Sequence, residues 1–314
     1  MAAKQGAFVF ASEWDDDSGW RAQMEKHLGP LDWRRLDGVG AREEIEVALA
    51  WDPPPGFLAS LPSLRLIVSL GMGVDHLLKH RDLPAGVPIV RIHDASLIDQ
   101  MSEYCQLACL RILRLSDEYD ALQRDAAWKR LRLPEARDLR IGVMGLGAIG
   151  ARVAADHLRQ GFAVAGWARS AKKIDGVECF AGEDGLAPFL ARSDVLICLL
   201  PLTPQTRGIL DARNLGRLPR GAHVVNVARG GHVVDEDLLA ALDSGRIASA
   251  TLDVFNQEPL PAEHPYWRHP KVRVTPHIAG QSNPRTAAPG VADNIRRMRA
   301  GESLHDLIDP AAGY

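Results

Sequence analysis

Six residues constrain this chain most: Gly145-Leu146-Gly147-Ala148-Ile149-Gly150, set between the strand-like LRIGVM and the helical ARVAADHLRQ. A G-x-G-x-x-G spacing alone is a weak signal, but between an apolar strand and a helix it specifies a βαβ turn. Gly145 permits the tight turn, Gly147 lets the backbone approach a pyrophosphate, and Gly150 lets the helix pack close to its strand. The free N–H groups at the helix start, Ala148 and Ile149 among them, hold phosphate oxygens together with the positive helix end. The fold around such a turn is a doubly wound parallel sheet.

The rest of the chain fits that demand. Strand-like runs recur after the motif at 163–168, 195–200, 223–228, 248–255 and 272–277, with helical segments between them. Before it, AFVFAS (7–12), EVALAW (46–51), LRLIVSL (64–70) and VPIVRI (87–92) are apolar runs suited to parallel strands covered on both faces. Turn residues separate them, and a helix is expected from Ser96, as N-cap, to about Leu115. A chain of 314 residues is long enough for two domains. Its 46% hydrophobic and 25% charged content excludes a mainly disordered, collagen-like or coiled-coil protein.

A net charge of −3 gives no footprint for nucleic acid. The longest compact apolar run, Val195 to Leu200, is strand-sized, so no membrane span is expected. The first residues, with one lysine and then three aspartates, do not read as a signal peptide. Cys105 and Cys109 share a helical face, but their apolar neighbours point to buried structural thiols rather than a metal pair. The expected location is the cytoplasm, and no metal site is expected.

The end of the second strand of the motif selects the nucleotide. NAD enzymes usually carry Asp or Glu there for the ribose 2′-hydroxyl. This chain has Trp167-Ala168-Arg169-Ser170 followed by Lys172 and Lys173, and no carboxylate follows until Asp175. Arg169, Ser170 and Lys173 suit a 2′-phosphate, so NADP(H) is the preferred cofactor, with NAD(H) second.

Three polar residues lie at or beyond later strand ends. Arg229 stands in NVARGG, Glu258 in DVFNQEP and His277 in TPHIAG. Arg can orient the carboxylate of a 2-keto acid and polarise its carbonyl. His can donate a proton to the oxygen as hydride reaches carbon, and Glu can orient the imidazole. Gly71-Met72-Gly73-Val74 follows a strand, where a Gly-rich turn can present N–H groups to a carboxylate.

NVARGG, DVFNQEP and TPHIAG, in that order after GLGAIG, resemble the D-isomer-specific 2-hydroxyacid dehydrogenase family. WARSAKK, ALAWDPP and the terminal AAGY are similar to its NADPH-preferring glyoxylate/hydroxypyruvate reductase A-like branch. The resemblance implies Arg229, Glu258 and His277 as the catalytic set, and Asp253 near the nicotinamide amide. Leu200, Pro201 and Thr206 of LLPLTPQTRG would run along the cofactor, with Trp167, Val227, Ala228 and Gly280 also beside it. Trp51, Met72, Gly73 and Arg285 would meet the substrate with Arg229 and His277, Trp51 walling a pocket for small 2-keto acids.

The implied architecture is α/β, a Rossmann domain (96–283) inserted in a flavodoxin-like substrate domain (1–95 and 284–314). The stretch from about Leu115 to Arg137 is long for a connection and resembles the family's dimerisation arm, so a homodimer is expected. The leading reading is NADPH-dependent reduction of glyoxylate or hydroxypyruvate, with His277 as general acid. Two alternatives stand beside it: a broader 2-keto acid reductase acting on substrates such as phenylpyruvate, and a non-catalytic dinucleotide sensor on the same fold.

Overall fold

A computed structural model describes residues 6–309, so the AAGY terminus lies outside the described residues. The chain divides into two compact units, Met1–Leu97 with Ser282–Tyr314, and Ile98–Gln281. Both are α/β, and each carries its own parallel sheet.

The first unit contains β1 (Ala7–Ala11), α1 (Asp17–Leu28), β2 (Trp33–Arg35), β3 (Ile45–Ala50), β4 (Leu66–Ser69), α2 (Asp75–Leu78) and β5 (Ile89–Arg91). All strand pairs are parallel, in the order β2-β1-β3-β4-β5. Side chains alternate across the sheet. Phe8, Phe10, Val47, Leu49, Leu66 and Val68 face one layer, while Val9, Ala48 and Ile67 face the other. The first layer is closed by Trp20 and Met24 of α1 and by Ala288, Val291 and Ile295 of the last helix, Pro284–Ala300.

The two chain segments that enter and leave this unit meet at a buried carboxylate. Asp94 accepts hydrogen bonds from the Ser96 N–H at 2.9 Å, the Asn283 N–H at 2.8 Å and the Thr286 hydroxyl at 2.7 Å. Ser282 donates to the Leu70 carbonyl at 2.6 Å. Asp94 therefore caps the helix that begins at Ala95, in place of the expected Ser96.

The second unit holds most of that helix, α3 (Ala95–Leu113), and then α4 (Ser116–Arg124), β6 (Arg140–Met144), α5 (Ala148–Arg159), β7 (Ala163–Ala168), β8 (Glu178–Ala181) and α6 (Gly182–Ala191). It continues with β9 (Val195–Cys198), α7 (Ala212–Leu215), β10 (Ala222–Asn226), α8 (Asp235–Asp243), β11 (Ile247–Leu252) and β12 (Val272–Val274). The seven strands are parallel in the order β12-β11-β10-β9-β6-β7-β8. The order reverses between β6 and β9, the switch point at which such sheets bind ligands.

Three differences from the sequence expectation have local causes, whereas the two α3 cysteines are buried as expected. β2 and β8 are short and lack a continuous apolar run, so periodicity missed them. The expected connection 115–137 begins with a helix, α4, which buries none of its side chains. β11 and β12 stop at Leu252 and Val274, three residues early, because the chain leaves the ladder for the site turns. Cys105 and Cys109 lie wholly buried on α3, and burial pushes the Cys105 thiol up to about 12 and raises Cys109 as well.

The motif glycines differ in what they tolerate. A Cβ on Gly150 would come within 1.7 Å of the Gly145 carbonyl oxygen, whereas one on Gly147 would meet nothing within 4 Å. Gly150→Ala should therefore lose about 2 kcal/mol or more of stability in urea unfolding. Gly147→Ala should stay within about 1 kcal/mol of the parent and instead weaken dinucleotide binding. Equal stability of the two variants would contradict this packing argument.

Candidate active site

Because β6, β7 and β9–β12 are all parallel, their carboxyl ends share one edge of the second sheet. After β6, Gly145 turns at φ +105°, and its N–H donates to the Trp167 carbonyl at 2.8 Å. A Cβ there would lie 2.7 Å from the Leu199 carbonyl oxygen, so glycine is required by the close approach of two loops at the switch point. Gly147 and Ala148 are exposed at the start of α5. Arg169, Ser170 and Lys173 are exposed just beyond β7. The Trp167 indole, at the end of β7, packs in the core and donates to the Gly182 carbonyl at 2.8 Å.

Arg229 follows β10 in a tightly fixed backbone. Its carbonyl accepts from the Asn226 amide at 2.9 Å and faces Nδ1 of His232 at 3.0 Å. The Asn226 side-chain oxygen accepts the Ala228 N–H at 3.2 Å. The second nitrogen of His232 faces the Pro201 carbonyl at 3.3 Å, and Thr206 Oγ1 donates to that same carbonyl at 2.7 Å. Burial alone would lower the His232 imidazole, but Cys198 and the two carbonyls outweigh it and leave it above its ordinary value. Leu200, Val227 and Ala228 are buried along this path. A Cβ on Gly230 would come within 1.8 Å of the Phe255 carbonyl carbon, so the loops after β10 and β11 touch through their backbones.

Glu258 and His277 meet directly. Nδ1 of His277 lies 2.8 Å from Glu258 Oε2, and Glu258 Oε1 accepts the Phe255 N–H at 2.9 Å. Both side chains are about two-thirds buried. Burial alone would raise the Glu258 carboxyl; the hydrogen bond and charge of His277, the Phe255 N–H and the charge of Arg229 outweigh it. Glu258 is therefore ionised at neutral pH, and Arg229 lies near enough to act on it. With Nδ1 committed to Glu258, a proton passing to a substrate must leave through Nε2.

Asp253, which the resemblance places near the nicotinamide amide, lies just beyond β11. Its buried carboxylate accepts from the Thr275 hydroxyl at 2.6 Å and from the N–H groups of Ile278 at 2.9 Å and Ala279 at 2.8 Å. These bonds hold the turn on which His277 stands at φ +55°, a conformation uncommon for a residue with a side chain. Tyr104 donates to the Thr275 hydroxyl at 2.5 Å. Burial raises the Asp253 carboxyl, opposed by these donors and the charge of His277. Gly280, next in the chain, closes this turn segment.

The expected substrate contacts other than Arg229 and His277 belong to the first unit. Trp51 follows β3, and Met72 and Gly73 lie in the turn after β4. Arg285 is exposed in the first turn of the last helix, where its N–H donates to the capping Asn283. Sequence reading missed Asn226, His232, Thr275 and Tyr104. The first three lie within three residues of Arg229 or His277, a signal that was available; nothing local marks Tyr104.

The family model described as "D-isomer specific 2-hydroxyacid dehydrogenase, NAD binding domain" matches residues 107–279. A glyoxylate/hydroxypyruvate reductase A from Yersinia enterocolitica is 42% identical over 314 residues, covering 98% of this chain and 99% of that protein. A D-isomer specific 2-hydroxyacid dehydrogenase from Xanthobacter autotrophicus Py2, solved with NADPH and MES, is 44% identical with a TM-score of 0.94, covering 99% of this chain and 100% of that one. An NADPH-dependent glyoxylate/hydroxypyruvate reductase from Sinorhizobium meliloti, solved with NADP and sulfate, is 37% identical with a TM-score of 0.91, covering 98% and 100%.

Glu258→Gln keeps the shape and removes the charge beside the imidazole. It should lower kcat at pH 7 by about 10- to 100-fold. In the parent, Glu258 loses its charge only as pH falls through a value below the ordinary 4.5, so its contribution is present above that range and lost beneath it. A pH–rate profile with the Gln variant within twofold of the parent at pH 7 would remove Glu258 from the machinery.

Proposed function

The chain belongs to the D-isomer specific 2-hydroxyacid dehydrogenase family, in its glyoxylate/hydroxypyruvate reductase A-like branch, and from that premise we propose how its residues divide the work. The enzyme carries out NADPH-dependent reduction of glyoxylate- and hydroxypyruvate-type 2-keto acids to 2-hydroxy acids. The observation that carries the assignment of roles is the Glu258–His277 bond at 2.8 Å, beside Arg229 on the carboxyl edge of the sheet.

The residues at the switch point fit a dinucleotide phosphate. Gly147 leaves open space where a Cβ would stand, and Arg169, Ser170 and Lys173 form a donor set suited to a 2′-phosphate. When bound, NADPH supplies the hydride. Arg229 binds the keto acid through its carboxylate and carbonyl oxygen. His277 gives its Nε2 proton to that oxygen as it becomes a hydroxyl, and Glu258 holds the imidazole in position. Asp253 fixes the turn beneath His277. Leu200, Pro201, Thr206, Val227, Ala228 and Gly280 line the cofactor path. NAD(H) serves as the weaker cofactor.

Residues 96–283 act as the dinucleotide domain, and 1–95 with 284–314 as a flavodoxin-like substrate domain. The strand order β2-β1-β3-β4-β5 supports that reading. Trp51, Met72, Gly73 and Arg285 serve the substrate. A homodimer is supported by Leu107 and Leu110, exposed on α3, and by Trp128, whose side chain lies fully open beyond α4. Four free cysteines support a cytoplasmic location. The net charge of −3 speaks against a nucleic-acid partner. Among the described residues, no helix is long and apolar enough to cross a membrane.

Loss of NADPH absorbance with glyoxylate, hydroxypyruvate and phenylpyruvate tests the assignment. His277→Asn should lower kcat about 100- to 10,000-fold with NADPH binding nearly intact; a variant keeping more than about a tenth of parental kcat would refute the role. Arg169→Ala should raise the KM for NADPH much more than that for NADH, and an equal rise would refute the 2′-phosphate contact. Light scattering at micromolar concentration should give twice the chain mass, and a stable monomer would defeat the dimer.

A further inference from the structure

The carboxyl edge of the first sheet holds a small network around Trp51, in which Ser69 and His76 have no part in the reaction as described. β3 and β4 are parallel neighbours with Ala50 opposite Ser69, so Trp51 and the Gly71–Gly73 turn emerge side by side. The indole lies against Gly71, where a Cβ would come within 2.3 Å of its Cζ3 atom. Against the indole stands His76 of α2, with ring centroids 3.9 Å apart and planes inclined by 27°. His76 is buried, and its Nε2 lies 3.3 Å from the hydroxyl of the wholly buried Ser69.

The Ser69 hydroxyl has one hydrogen, and its nearest acceptor is the Gly71 carbonyl at 3.0 Å, with the Gly73 carbonyl at 3.3 Å. Its lone pairs then receive the Gly71 N–H at 3.4 Å and the His76 Nε2–H. A single hydroxyl thus holds both the Gly-rich turn and the imidazole, and the imidazole holds the indole. The carboxyl edge is where α/β sheets bind their ligands. An indole there has two free torsions unless something covers its face.

We propose that His76 is a positioning residue for substrate size: it clamps the Trp51 indole across Gly71, so that the pocket accepts the short side chains of glyoxylate and hydroxypyruvate and excludes aryl 2-keto acids. The inference rests on the reading of Trp51 as a wall of the substrate pocket. His76 touches neither substrate nor cofactor and acts through the indole. Its removal therefore falls on the KM of the keto acid and on the selectivity between keto acids, and spares cofactor binding.

The test uses purified full-length enzyme at saturating NADPH, with kcat and KM measured for glyoxylate and phenylpyruvate. The variants are His76→Gln, His76→Phe, Trp51→Ala and the double variant His76→Gln/Trp51→Ala. Gln keeps a hydrogen bond to Ser69 and loses the stack; Phe keeps a flat ring against the indole and loses the bond. His76→Gln should raise the glyoxylate KM and shift the phenylpyruvate-to-glyoxylate ratio of kcat/KM about 3- to 10-fold, the scale of one aromatic stack. The KM for NADPH should not move. His76→Phe should hold the parental ratio, and adding His76→Gln to Trp51→Ala should shift it no further. If Trp51→Ala shifts the ratio and His76→Gln does not, the clamp is refuted while the wall stands. If neither shifts it, both readings fail. An equal shift by Gln and Phe, or full additivity in the double variant, also overturns the clamp.

Discussion

The position of the His277 imidazole depends on a buried carboxylate on the extension of the neighbouring strand. Asp253 is 1% exposed, and its two oxygens receive the Thr275 hydroxyl and the N–H groups of Ile278 and Ala279. Its own carbonyl accepts the His277 N–H at 2.8 Å. A left-handed residue with a side chain persists only where its surroundings over-determine it, and here hydrogen bonds from both sides of His277 end on one residue of the neighbouring strand's extension. The cost of burying Asp253 is offset by those donors. Glu258 follows five positions later on the same segment, so the residue that fixes the turn also begins the loop that delivers the imidazole's partner.

Parallel pairing supplies the second constraint. A parallel sheet puts every strand's carboxyl end on the same side, so loops distant in sequence crowd at one edge. The crowding is literal in the second unit: the loops after β6 and β9 approach at Gly145 and Leu199, and those after β10 and β11 approach at Gly230 and Phe255. Glycine appears where backbones touch, and polar side chains appear where they part. Arg229 lies next to such a contact, with its main chain tied by Asn226 and His232.

Much of this was legible in one dimension. Apolar runs located ten of the twelve strands, because a strand buried on both faces needs uninterrupted Val, Ile, Leu or Ala, as in β1, β3 and β9. They missed β2 and β8, whose Trp-Arg-Arg and Glu-Cys-Phe-Ala carry no such run and which close the two sheets at an edge. The helix α4 was missed because it is only nine residues long, is mostly polar and has no fully buried side chain to mark it. Ser96 looked like a cap, but the Asp94 carboxylate lies where it can reach the Ser96 N–H and the returning chain at Asn283 and Thr286 together. A residue satisfying both segments is recognisable only when both are in place.

The same division separates site from support. Residue types and their order in the chain determined the dinucleotide turn, the basic loop at Arg169 and the Arg–Glu–His set, because phosphate binding and proton transfer each require particular functional groups. Contact across strands decided the rest: that Nδ1 of His277 is the nitrogen bound to Glu258, that Trp167 turns inward to Gly182, that Asp253 serves the His277 turn, and that His76 covers Trp51. Chemistry is written in side-chain identity, which a sequence states outright. Orientation comes from hydrogen bonds and packing between residues far apart in the chain, and these exist only once the sheets have brought their ends together.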